Sequence, residues 1–173
     1  EELVSQLGLI DEMLSYMRIS VLKKPGFEAD DIMGTLSKQA SLQQIKTYLV
    51  SGDKDLMQLI SDHVFMYSIG SRFNPTIIYD NNAVKNKWGV NPEKMIEFLA
   101  LLGDSSDNIP GVDGIGKKTA AKLLNEYGTI NNILLNIDRI KNRRVRRGLK
   151  EGRKVLDMSL KLVTIDNHVD IDM

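Results

Sequence analysis

Apolar residues recur at three- and four-residue spacing through Leu3, Leu7, Ile10, Leu14 and Met17, so residues 2–18 are predicted to form an amphipathic helix. Val21-Leu22 reads as a short strand ended by Pro25-Gly26. A second helix is expected over 28–40, with Glu28, Asp30 and Asp31 in its first turn, where carboxylates suit the helix dipole. Strands follow at Ile45–Val50, Val64–Tyr67 and Ile77–Tyr79, with a helix from about Asp55 to Ser61 between the first two. This alternation predicts an α/β fold with a doubly wound, mostly parallel sheet.

From Asn91 onward the pattern becomes purely helical. Asn91-Pro92 opens a helix running to Leu102, and Asp104–Gly116 is a loop of Gly, Pro, Asp and Ser. Lys117–Tyr127 is a helix stopped by Gly128, and Thr129 caps the next one. Two basic helices are expected at about 138–148 and 150–162. The chain thus divides into an α/β part over 1–88 and a helical part over 89–173. An open α/β sheet usually has about five or six strands. So few strands here imply a partial sheet whose N-terminal strands are missing.

Composition narrows the chemistry. The absence of cysteine excludes disulfides, zinc–thiolate sites and thiol nucleophiles. No apolar run approaches membrane-spanning length, and the opening Glu1-Glu2-Leu3 is not a secretory signal. A net charge of zero conceals an asymmetry: residues 28–113 hold twelve acids and seven bases, whereas 117–154 hold twelve bases and three acids. An acidic middle and a basic end suggest a cation site beside a phosphate-binding surface, although two solvated faces would give the same count.

The acids fall in three short segments, Glu28-Ala29-Asp30-Asp31, Asp53-Lys54-Asp55 and Asp104-Ser105-Ser106-Asp107, each where a helix begins or an element ends. Asp53 and Asp55 follow a strand at its C-terminal end, where open α/β sheets place ligands. Any one segment alone reads more simply as a cap or a solvated turn. Together they form a candidate site for hard divalent ions, because all-oxygen ligation favours Mg²⁺ or Mn²⁺ over zinc. A pair of such ions is a device for hydrolysing phosphodiesters.

Gly111-Val112-Asp113-Gly114-Ile115-Gly116-Lys117-Lys118 is close to a P-loop, but Lys118 stands where the magnesium-binding Ser or Thr belongs. The better reading is a helix–hairpin–helix-like turn. Gly111, Gly114 and Gly116 would turn backbone N–H groups toward a phosphate at a helix N-terminus, with Lys117, Lys118 and Lys122 adding charge. A glycine-rich connection with solvated lysines is the plainer alternative.

Gly26-Phe27-Glu28-Ala29-Asp30-Asp31-Ile32, Ser51-Gly52-Asp53-Lys54-Asp55-Leu56 and Gly103-Asp104-Ser105-Ser106-Asp107-Asn108-Ile109-Pro110-Gly111 through Gly116 resemble the 5′-nuclease family. The likeness is to the 5′–3′ exonuclease domain of bacterial DNA polymerase I, with flap endonucleases more distant, and it covers essentially the whole chain. It implies that Glu28, Asp30, Asp31, Asp53, Asp55, Asp104 and Asp107 surround two divalent ions, with Asp53, Asp55, Asp104 and Asp107 as catalytic ligands. It implies a helix-3-turn-helix over about 92–127 that holds duplex DNA behind a 5′ flap or end. A K⁺ ion at the Gly111–Gly116 loop and hydrolysis leaving a 5′-phosphate are implied as well. A monomer in the bacterial cytoplasm, at the nucleoid, is the expected setting. The family's first strands, with further aspartates, and its helical arch have no counterpart here, so this stretch by itself is expected to be inactive. A non-catalytic duplex-binding module is the competing reading.

Overall fold

The computed structural model describes residues 2–70 and 75–171. Helix α1 spans Glu2–Tyr16 and ends with Arg18 at φ 54°, the Ile19 N–H reaching back to the Leu14 carbonyl. Its apolar stripe is only partly covered: Leu14 is half-buried, but Leu7 and Met13 are exposed. The strand expected at Val21-Leu22 does not form. Residues 19–24 have no regular structure and no strand partner among the described residues, and two β-branched or apolar residues in a row do not make a ladder.

Helix α2 spans Ala29–Leu42 with Glu28 as its N-cap, and the Asp31 side chain accepts the Glu28 N–H at 3.2 Å. Its buried face is Ile32 with the smaller Gly34, Thr35, Ser37 and Ala40. A Cβ on Gly34 would lie 2.7 Å from Ile165 Cγ2, so the glycine lets the C-terminal segment 164–171 lie close along the helix. That segment is fastened by Val169 N–H to Thr35 Oγ1 (3.0 Å) and by Asp166 N–H to Asp31 Oδ1 (2.8 Å).

The sheet has three strands in the order β1 (Thr47–Val50), β2 (Val64–Ser68), β3 (Ile77–Tyr79). β1 and β2 are parallel, with Leu49 opposite Met66, and β2 and β3 are antiparallel, with Met66 opposite Tyr79. A 3-10 turn at Asp55–Leu59 links the first two in place of the expected α-helix. Helix α3 (Asn81–Trp88) has no counterpart in the sequence reading. It buries only Val84, too little to create a periodicity, but its start is capped by Asp80, whose side chain accepts the Ala83 N–H at 2.7 Å.

The helical part begins with a 3-10 turn at Pro92–Lys94 and continues as α4 (Met95–Leu102). α4 is apolar nearly all round, and Met95, Phe98, Leu99, Ala100 and Leu101 are all buried, as expected for a helix at the centre of the molecule. α5 (Lys117–Tyr127), α6 (Ile130–Leu135), α7 (Arg143–Glu151) and α8 (Arg153–Val163) surround it, with a 3-10 turn at Ile137–Arg139 where the sequence suggested a helix start. One contiguous core runs from Leu49 and Met66 of the sheet through Phe98 to Leu149 and Leu156.

Candidate metal centre and nucleic-acid interface

The acidic residues are brought to one place by three element ends. Beyond β1, the Asp53 side chain accepts the Asp55 N–H at 2.9 Å, which fixes both carboxylates at the start of the 3-10 turn. α4 stops at Gly103, whose φ of 77° favours glycine. A Cβ there would sit 2.3 Å from the Gly111 nitrogen, and one on Gly111 would sit 2.2 Å from the Leu102 carbonyl oxygen. These two glycines let the loop return against the helix end. Asp104 and Ile109 close it with two backbone hydrogen bonds of 2.8 and 2.7 Å, and Asp104 Oδ1 accepts the Ser106 N–H at 2.9 Å.

Carboxylate oxygens of Asp55, Asp104 and Asp107 lie within 4.8 Å of one another. Asp104 is buried, Asp55 half-buried and Asp107 exposed. Asp55 Oδ1 is buried and has no hydrogen-bond partner among the described residues. Burial raises the Asp55 pKa to about 6, with Asp53, Asp104 and Asp107 adding to the rise and Lys54 opposing it. Asp30 is also raised, first by burial and then by Asp53, Glu28, Asp31 and Asp107, so the start of α2 faces the same cleft. Asp104 moves the other way, chiefly because Lys54 donates a hydrogen bond to it.

The structure therefore brings Asp30, Asp53, Asp55, Asp104 and Asp107 within electrostatic reach of each other. Glu28 and Asp31 stand at the rim with other tasks: Glu28 caps α2, and the Asp31 oxygens accept N–H groups from Glu28 and Asp166. Lys54 was visible in the sequence only as the middle of a charged turn. Its contact with Asp104 joins residues fifty positions apart, which no local pattern encodes.

The residues fit a hard divalent ion. A buried carboxylate oxygen without a partner costs free energy until something positive binds it, and the donors are all oxygen.

On the basic side, Gly116 caps α5 and Gly114 has a φ of 78°, so the turn has the backbone that the glycine spacing suggests. Lys118 and Lys122, four apart, lie on one face of α5 and line a groove with Arg139 and Lys141 opposite. Arg139 and Lys141 were legible only as part of the general basic run. Lys117 is placed differently: its ammonium sits 4.5 Å from the centre of the Trp88 ring, where cation–π attraction holds it. Gly111 acts in packing against α4 and is less available to present its N–H group outward. Helix α7 lies against the turn: a Cβ on Gly148 would be 2.1 Å from the Asp113 carbonyl oxygen.

Two family models match the chain. A family model described as the 5′-3′ exonuclease, N-terminal resolvase-like domain matches residues 1–89, and one described as the 5′-3′ exonuclease, C-terminal SAM fold matches 90–173. DNA polymerase I of Bacillus caldotenax is 39% identical over 99% of this chain, and that of Rhizobium leguminosarum 42% over 100%. The chain spans 20% and 17% of their lengths, respectively. Among solved structures, a mutant of the T5 5′-exonuclease superposes with a TM-score of 0.77 at 25% identity, covering 90% of this chain and 62% of that one. The catalytic core of Rad2 in complex with DNA substrate has a TM-score of 0.62 at 17% identity, covering 97% of this chain and 55% of that one, a likeness of fold. The chain, with its acidic cleft and its glycine-rich turn before α5, belongs to the 5′–3′ exonuclease family.

Proposed function

We propose that this chain carries metal ligands and the duplex-gripping hairpin of a 5′–3′ exonuclease and flap endonuclease, which hydrolyses DNA phosphodiesters near 5′ junctions in replication and repair. The observation that carries the reading is the unpartnered buried oxygen of Asp55 inside a cluster with Asp104 and Asp107. These three would hold one Mg²⁺ or Mn²⁺. Asp53 and Asp30, with Glu28 and Asp31 at the rim, would complete the surroundings of a second. When bound, such ions supply hydroxide at neutral pH and neutralise the phosphate's developing charge.

The chain's own contribution is placement. The Asp53 turn and the Asp104–Ile109 bridge hold the ligands rigidly on element ends. The N-terminal N–H groups of α5, with Lys118 and Lys122, grip a phosphate backbone without reading bases. K⁺ at the Gly111–Gly116 loop, monomeric action and the bacterial cytoplasm near the nucleoid are finer parts of this reading, supported by the family and by its bacterial relatives. β1, which among the described residues pairs only with β2, is read as a junction with further strands of a larger doubly wound sheet.

Asp104→Ala in the protein carrying this chain should abolish release of 5′-labelled product from a flapped duplex while leaving duplex affinity in EDTA unchanged. Undiminished cleavage would place the chemistry elsewhere. Lost binding with retained cleavage would favour the duplex-binding module for this segment.

A further inference from the structure

Both oxygens of Asp104 are engaged in this structure: Oδ1 accepts the Ser106 N–H and Oδ2 takes the Lys54 ammonium. Asp104 is 7% exposed and Lys54 30%, so the contact is partly shielded from water. Lys54 stands between Asp53 and Asp55 in sequence, at the cap of the 3-10 turn that aims both carboxylates into the cleft. Asp55 and Asp107 offer oxygens within 4.8 Å of Asp104's, and a divalent ion shared by the three needs an Asp104 oxygen. The Ser106 bond is local and holds the loop. The lysine, on a flexible stem, is the group that can leave.

We propose that Lys54 is a tethered counter-ion of the metal site: it occupies Asp104 in the metal-free protein, keeps the acidic cleft together, and is displaced when a divalent ion binds. This rests on the metal-site reading above. It makes Lys54 a positioning residue with a definite cost, because every ion that enters must compete with a cation already in place. A lysine that merely oriented Asp104 for the metal would have the opposite effect on affinity.

The sign of one change separates the two roles. Mn²⁺ titration of wild-type protein, with free ion counted by electron paramagnetic resonance, is repeated at constant ionic strength on Lys54→Met and Lys54→Arg. Thermal melts in EDTA accompany each titration. Lys54→Met should bind Mn²⁺ about tenfold more tightly, the scale of one hydrogen bond between charged partners, and should melt lower in EDTA. Lys54→Arg keeps the charge and should stay near wild type in both readings. Unchanged or weaker Mn²⁺ binding by Lys54→Met, with wild type binding normally, overturns the counter-ion role and leaves the metal site standing. No Mn²⁺ binding by wild type overturns both. If Lys54→Met does not fold, Lys54→Gln, neutral and of similar length, takes its place with the same expected sign.

Discussion

The acidic cleft and helix α7 are both densely charged, and they treat charge in different ways. On α7, Arg144 bonds Asp113 at 2.7 Å, Arg147 approaches Asp113 and Glu151 at 3.9 Å, Lys150 bonds Asp138 at 2.8 Å, and Arg146 donates to the Ile140 carbonyl. In the cleft, Lys54 is set against Asp53, Asp55, Asp104 and Asp107, and one oxygen of Asp55 has no partner. The sequence count of acids and bases treats these regions as mirror images. The structure separates a surface where Arg144, Arg147 and Lys150 are paired with acids from a cleft where the acids outnumber Lys54. Unmatched charge, more than charge itself, marks where an external ion belongs, and by the same measure Lys118 and Lys122, without an ion pair among the described residues, differ from Arg144 and Arg147.

The largest expected effect comes from removing the unmatched charge. Mn²⁺ at about a hundred times its dissociation constant should stabilise the wild-type fold by about 2.7 kcal/mol. For a domain of this size that raises the melting temperature by roughly 5–10 °C. Asp55→Asn should lose most of that rise, while melting higher than wild type in EDTA because a repelled buried carboxylate is gone. An Asp55→Asn protein that keeps its full response to Mn²⁺ would end the contrast between the two regions.

A comparable test strikes α7. Exposed glycine-to-alanine changes within a helix usually stabilise by about 1 kcal/mol. Gly148→Ala should do the reverse, costing about 1–3 kcal/mol, because its Cβ would press on the Asp113 carbonyl oxygen. Urea unfolding decides the sign. Stabilisation would mean that α7 is not held against the turn.

A smaller effect should appear with pH. The folded-state pKa of Asp55, about 6, lies above its ordinary 3.8, so its ionised form is disfavoured by folding. Below about pH 4 both folded and unfolded states are protonated and no penalty arises. The penalty grows as pH rises through 4 to 6 and is complete above that. Metal-free protein should therefore lose stability across this window, and Asp55→Asn should flatten the slope. Asp104 is lowered and contributes in the opposite sense, as pH falls below its ordinary range, so the windows separate. A slope unchanged in Asp55→Asn would assign the titration to another group, with Asp30 the first candidate.

How much of this was legible in the sequence depends on how local the cause was. The β1, β2 and β3 strands, α4 and α5 follow from runs and caps read within a few residues, and the structure has them within a few positions of the expected ends. α3 escaped because one buried Val84 gives no pattern, although the Asp80 cap was there to read. Val21-Leu22 was over-read because strand formation needs a neighbour that a dipeptide cannot supply. In the site, local spacing picked out the segments, and the structure brings oxygens of Asp55, Asp104 and Asp107 within 4.8 Å of one another. The Lys54–Asp104 contact, the Lys117–Trp88 stack and the Asp113–Arg144 pair were invisible, because each joins side chains about thirty or more residues apart whose meeting depends on the tertiary fold.

The smallest effect, and the sharpest on the comparison, is expected at Asp113. Its side chain is exposed, and its pKa is lowered chiefly by the hydrogen bond from Arg144, then by the charges of Arg144 and Arg147. Exposed ion pairs contribute little to stability, so Asp113→Asn should leave the melting temperature nearly unchanged. Its effect should appear on DNA. With Asp113 charged, two α7 arginines beside the hairpin are held by an anion of the protein's own. With Asn there, both guanidiniums become available to phosphate. Duplex binding measured across a salt series should tighten severalfold, and the slope of log K against log salt should steepen by up to about two units, one for each arginine released. Lys118→Ala, by contrast, removes a charge already free, and should flatten the slope by about one unit. If Asp113→Asn leaves both affinity and slope unchanged while Lys118→Ala alters them, α7 lies outside the DNA path and its pairing is structural. If neither changes anything, the duplex runs elsewhere, and the free lysines of α5 have lost their claim to it.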